Sequence, residues 1–223
     1  MDLKYLNSTC VLGDSNTEQL KFGDERGTFG KSTPGIRLKA LYVEDVNASD
    51  CISYKNVVLM VGTNNLKSKD IKNTTDVRGL VNKYTQKIRE IRQLNGRCHV
   101  FVVPVIPTQF EHINCKIRDF NRIVTTELPR IFSRLSIVSG VGELADRNRG
   151  GVLDGRFSRK QDPSGLHVNN IGISIIVSCI KAAIFSTKSK NQGKSRVVSN
   201  IPYSAIAAAG ASTHATSRLS HGG

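Results

Sequence analysis

The sequence predicts an α/β fold, a three-layer α/β/α sandwich around a flavodoxin-like parallel sheet, and two observations predict it. Short apolar runs rich in Val, Ile and Leu alternate with longer stretches whose apolar positions recur every three or four residues, the pattern of strands joined by crossover helices. The short runs are also continuously apolar rather than alternating with polar residues, which suits strands covered on both faces.

Thr9 to Leu12 is the first strand, ending on Gly13. Leu38 to Val43, Asn56 to Val61 (NVVLMV), Cys98 to Val103 (CHVFVV) and Leu135 to Val138 follow as further strands. Between them, Leu80, Val81, Tyr84, Ile88 and Ile91 share one face of a helix, with Lys83, Lys87, Arg89 and Glu90 on the other. Asn95-Gly96 is a left-handed stop for it. Ile113, Ile117, Phe120, Val124 and Leu128 define a second helix, with Pro129 where it would interrupt or kink the last turn. A last helix runs from Asn169 or Asn170 to about Phe185. Residues 1–185 thus form one domain. Residues 186–223 contain no acidic side chain, are rich in Ser, Gly, Ala and Lys, and read as a basic, mostly disordered tail.

At 223 residues the chain suits one sizeable domain plus a tail. No run approaches the length of a membrane span, and MDLKYLNSTC lacks the apolar core and small-residue cleavage site of a signal peptide, so the expected location is intracellular, in the cytoplasm. Cys10, Cys51, Cys98, Cys115 and Cys179 are odd in number and nowhere at metal-ligand spacing, which favours reduced core thiols over a disulfide framework or zinc site. The formal charge of +14 favours nucleic acid or anionic surfaces as neighbours, while the absence of Trp and the scarcity of aromatics leave little for a base-stacking platform.

Three polar clusters fall where strands end or the last helix begins: Gly13-Asp14-Ser15-Asn16, Gly62-Thr63-Asn64-Asn65, and the loop from Asp162 to His167. Ligands of an open parallel sheet bind at the carboxyl ends of its strands. A Ser, an Asn and a His at that rim are what acyl transfer requires, because a hydroxyl needs a base to take its proton and the developing oxyanion needs fixed donors. The alternative is structural: Ser15 or Asn16 as a helix cap, Asn64 and Asn65 as turn and cap residues, His167 as a capping or satisfied loop histidine. His99 and His112 read as structural or surface residues.

Together VLGDSN, MVGTNN and DPSGLHVNNIG, in that order over about residues 9 to 185, resemble the blocks of the SGNH hydrolases, the GDSL-type esterase superfamily. GTFGKSTPG and MVGTNN also resemble the SGNH-type domains of invertebrate proteins and retrotransposon open reading frames. The resemblance implies Ser15 as nucleophile, His167 as general base, and an oxyanion hole formed by the Asn64 amide, the Ser15 backbone N–H and a glycine N–H. For the glycine it points to Gly35, with Gly27 and Gly30 close by. The family's orienting aspartate lies three residues before the histidine, where this chain has Ser164. Asp162, in a loop stiffened by Pro163, is the substitute, and Asp154 a more distant one.

The expected function is a serine esterase acting on a small acyl or acetyl ester, with no metal and no organic cofactor. Two alternatives stand beside it: a basic nucleic-acid-associated module of mobile-element type, binding through its basic surface and the tail residues Lys188, Lys190, Lys194, Arg196 and Arg218, and a pseudoenzyme that binds an acylated ligand without turnover.

Overall fold

The computed structural model describes residues 8–20 and 36–197. Its five-stranded sheet contains β1 (Thr9–Gly13), β2 (Ile36–Lys39), β3 (Asn56–Met60), β4 (His99–Val102) and β5 (Leu135–Ile137). The order is β2-β1-β3-β4-β5 and every neighbouring pair is parallel. The helices are α1 (Ser15–Glu18), α2 (Thr63–Lys67), α3 (Thr74–Leu94), α4 (Glu111–Ile131) and α5 (Asn170–Val197).

Alternate residues of each strand feed two separate cores, which is why the strands read as unbroken apolar runs. Cys10, Leu12, Val57, Leu59, Val100 and Val102 face one side, where they meet Leu80, Tyr84 and Ile88 of α3 and Ile117, Phe120 and Val124 of α4. Val11, Val58, Met60, Phe101 and Val103 face the other, against Ile173, Ile176, Val177, Ile180 and Ile184 of α5. The α/β/α layering is therefore that of the sequence pattern.

Several boundaries differ from expectation. The second strand ends at Lys39 and Val43 begins a 3-10 turn, Val43–Asp45, because the chain must turn at the sheet rim while keeping Val43 buried. Helix α3 does stop at Leu94, but not in a left-handed cap: Asn95 has φ −135° and ψ 75°, and its side-chain amide donates to Cys51 O, Ile52 O and Tyr54 O at 2.8–3.0 Å. Tertiary hydrogen bonds there replace the local motif. Helix α4 runs through Pro129 to Ile131. A small antiparallel pair, β6 (Ala145–Asp146) with β7 (Val152–Leu153), was not anticipated.

The compact unit ends at Ile184, and from Phe185 the described chain is helix alone, α5 continuing to Val197. Residues 198 to 223, most of the expected tail, lie outside the described residues. Contrary to the sequence expectation, Asn170–Thr187 is long and apolar enough to cross a membrane, with mean hydropathy 1.6. Its Ile173, Ile176, Val177, Ile180 and Ile184 are buried against the sheet, the situation of a core helix. Cys10, Cys51 and Cys98 are buried, Cys115 is exposed and Cys179 half-buried, and none of the five is in a disulfide.

Candidate active site

The carboxyl end of β1 turns into α1 within two residues, and the turn is built for closeness. Gly13 packs so tightly that a Cβ there would lie 2.1 Å from Thr17 Oγ1 and 2.2 Å from Met60 O. Asp14 caps α1, its Oδ1 accepting the Asn16 N–H at 3.1 Å. Burial pushes the Asp14 carboxyl above the usual carboxylate range, the hydrogen bonds and the nearby His167 offsetting only part of that. Ser15 follows as the first residue of α1.

The second half of the site is the loop before α5. Val168 bridges to Ser158 in antiparallel fashion, the Arg159 N–H donates to His167 O at 3.1 Å and the Asn169 N–H to Phe157 O at 2.7 Å, so residues 157 to 169 fold back on themselves. Asn169 caps α5 by accepting the N–H groups of Ile171 (3.0 Å) and Gly172 (3.1 Å). Inside this loop Asp162-Pro-Ser-Gly-Leu-His167 winds around one carboxylate. Asp162 Oδ1 accepts the Ser164 N–H (3.0 Å) and hydroxyl (2.6 Å), while Oδ2 accepts the N–H groups of Leu166 (3.0 Å) and His167 (2.9 Å). Gly165, at φ +58°, supplies the left-handed residue that this winding needs.

The winding brings Ser15, His167 and Asp162 together. Ser15 Oγ lies 2.8 Å from His167 Nε2, and His167 Nδ1 lies 3.0 Å from Asp162 Oδ2. With the Nδ1 proton donated to Asp162, Nε2 is the acceptor for the Ser15 hydroxyl. Ser164 Oγ, 3.2 Å from His167 Nδ1, shares that proton while donating its own to Asp162. Burial of Asp162, whose side chain is 7% exposed, opposes ionisation, yet the hydrogen bonds from Ser164 and His167 hold its carboxyl well below the usual range. Asp154, the more distant candidate, is engaged elsewhere: Arg156 grips both its oxygens at 2.7–3.1 Å.

Asn64 sits half-buried at the start of α2, beyond the carboxyl end of β3, after Gly62, which takes the left-handed φ of +129°. Its amide donates to Leu41 O at 3.0 Å and has a second N–H. Asn65 is structural, accepting the Val43 N–H at 2.9 Å and donating to Glu44 at 2.8 Å. Gly35, Gly27 and Gly30 lie outside the described residues.

Two features escaped the sequence. Neither Ser15 nor Asn16 caps α1, a place Asp14 takes; Asn16, 2% exposed, instead hydrogen-bonds across to the loop that carries His167. And a second Ser–His contact exists at the start of β4, where His99 Nε2 lies 2.9 Å from Ser136 Oγ. It differs from the first in kind, since no carboxylate hydrogen-bonds His99 among the described residues, and burial pushes its imidazole below the ordinary value. Among the described residues no group of His, Cys, Asp and Glu could hold a metal ion.

No family model and no curated protein matches the sequence, but solved structures match the fold. A carbohydrate esterase of family 3 from Talaromyces cellulolyticus superposes with TM-score 0.57 at 19% identity, covering 82% of this chain and 98% of that one. An acetyl esterase mutant with bound acetate gives 0.58 at 18% identity, with the same coverage of 82% and 98%. A lipolytic protein of the G-D-S-L family from Veillonella parvula gives 0.51 at 12%, over 77% and 94%. With its β2-β1-β3-β4-β5 parallel sheet and a Gly-Asp-Ser turn at the end of β1, the chain has the fold of the SGNH hydrolases.

Proposed function

We propose that this chain is a serine esterase-type hydrolase that cleaves a small acyl or acetyl ester through Ser15, His167 and Asp162, using no metal and no organic cofactor. The observation that carries the reading is the unbroken hydrogen-bond path from Ser15 Oγ through the imidazole to the Asp162 carboxylate, at 2.8 and 3.0 Å. Attack begins as His167 Nε2 takes the hydroxyl proton and Ser15 Oγ bonds to the ester carbonyl carbon. The negative charge that develops on the carbonyl oxygen is received by the Ser15 backbone N–H and the second N–H of the Asn64 amide, with the Gly35 N–H as the third donor that the resemblance implies. Collapse breaks the ester C–O bond, the imidazolium returns its proton to the departing alcohol, and the acyl group stays on Ser15. Water, deprotonated by His167, then repeats the cycle and frees the acid. Asp162 stays anionic throughout, holding the Nδ1–H tautomer and stabilising the imidazolium.

The experiment is trapping: rapid mixing with p-nitrophenyl acetate gives a burst of p-nitrophenol, and mass spectrometry of the quenched protein finds acetyl on the peptide containing Ser15. An acetyl group on Ser136 or on a lysine, with Ser15 unmodified, would contradict the assignment.

A second reading, association with a polyanion such as nucleic acid, is favoured by one observation. Arg147, Arg149, Arg159 and Lys160 are exposed and have no acidic partner among the described residues, and the last two lie on the loop that carries His167. Phosphate contacts of that kind weaken steeply with salt. Oligonucleotide affinity that is flat between low and physiological salt would remove this reading.

A further inference from the structure

Resting on the catalytic reading above, we propose that Asn16 is the positioning residue that holds His167 in line with Ser15. Its side chain donates from Nδ2 to Leu166 O at 3.1 Å and accepts at Oδ1 the N–H of Val168 at 3.3 Å. These are the two peptide groups that flank His167. One amide therefore clips the backbone on both sides of the histidine to the residue that follows the nucleophile. The clip is buried: Asn16 is 2% exposed, Leu166 7% and Val168 0%.

The need for such a device follows from the chain's connectivity. Ser15 and His167 stand on segments 152 residues apart in sequence, and the direct contact between their reacting atoms is the single 2.8 Å hydrogen bond. The loop's own bonds wind it around Asp162 but leave its position relative to α1 open. Asn16 closes that gap, and the residue type is specific to the task. Only a planar amide offers a donor and an acceptor side by side to a C=O and an N–H of one strand-like segment. Asp in its place keeps the acceptor for Val168 but opposes a carboxylate oxygen to Leu166 O. Leu keeps the branched shape, with slightly larger ends, and offers neither bond, which leaves a buried C=O and N–H without partners.

The test compares wild type, Asn16→Leu, Asn16→Asp and Ser15→Ala in ester hydrolysis, fluorophosphonate labelling and amide hydrogen exchange, all below the melting temperature of each variant. Asn16→Leu is expected to lower kcat and the labelling rate by about a hundredfold with KM within about threefold of wild type, the cost of a small misplacement of reacting groups. Exchange at Val168 accelerates in the same variant. In Asn16→Asp the activity relative to wild type rises as pH falls, because the protonated carboxyl regains a donor for Leu166 O. The other titratable groups nearby are Asp14 and Glu18 on its own turn and His167 and Asp162 on the loop it binds, while Met60, Thr63, Val103 and Ile106, which line a small cavity with it, carry no charge. All of these are present in wild type too, so the ratio isolates position 16. Folded Asn16→Leu with wild-type kcat, or with unchanged exchange at Val168, overturns the proposal. If Ser15→Ala hydrolyses ester as fast as wild type, the catalytic reading fails, and accelerated exchange at Val168 in Asn16→Leu still reports the clip on its own.

Discussion

At the scale of single residues, the most instructive group is Asp162, because it stands where spacing alone would not put it. The family's spacing would call for a carboxylate at position 164; the chain has a serine there, and the loop instead winds so that a residue five positions before the histidine reaches Nδ1. Asp162→Asn should therefore lower kcat by roughly ten-thousandfold, the loss known for removing the orienting acid of a serine triad. Ser164→Asp should give no gain, since it brings a second carboxylate against one already in place and removes the hydroxyl that bonds it; a faster variant would mean that Asp162 does not serve the imidazole. Asp162 and Asp14, the perturbed carboxylates beside Ser15 and His167, also predict opposite pH behaviour. Asp162 has a folded pKa below its unfolded value near 3.8, so its contribution to stability is present above about pH 4 and is lost as pH falls further toward the folded value. Asp14 has a folded pKa above that value, so its ionisation costs stability as pH rises through it. Asp14→Asn, which keeps the acceptor for the Asn16 N–H, should raise Tm at pH 7, with the gain shrinking as the pH approaches 4. A lower Tm at pH 7 would contradict the burial argument.

Secondary-structure elements were legible where the physics is local. The strands declare themselves because both faces are covered, and α3 and α4 because one stripe is. What the sequence hid is what depends on distant partners: the Asn95 amide that ends α3 by binding three carbonyls near residue 52, the β6–β7 pair of two residues each, and Asn16, whose partners lie some 150 residues away. Among the candidate site residues, Ser15 and His167 stand out in the sequence because glycine, proline and polar residues cluster at strand ends, whereas Asp162, already preferred there to Asp154, owes its contact with the imidazole to the loop's winding, which the sequence does not show. The β1–α1 turn yields an element-scale prediction. Any side chain at position 13 would strike the Met60 carbonyl and Thr17, so Gly13→Ala should cost about 2 to 3 kcal/mol in denaturant unfolding and remove activity with it. A variant as stable as wild type would show that the turn has room.

For the whole molecule, the carboxyl end of one sheet gathers the described residues that the proposed chemistry uses. Ser15 leaves the end of β1, Asn64 follows β3 and His167 precedes α5, and two independent cores hold these ends in place. The same end carries the exposed cations Arg159 and Lys160, within a chain of formal charge +14. If an anionic partner binds there, replacing Arg147, Arg149, Arg159 and Lys160 together with alanine should flatten the salt dependence of oligonucleotide affinity and leave hydrolysis of an uncharged ester within about twofold. An unchanged salt slope would place any such binding elsewhere.

The most direct measurement is hydrolysis of p-nitrophenyl acetate by the purified protein beside its Ser15→Ala variant, with a fluorophosphonate label applied to both. Turnover and labelling in the wild type that both vanish in the variant are the predicted result. Equal turnover in the two proteins, or silence from a folded wild type, would contradict the assignment of Ser15, His167 and Asp162 as a working triad.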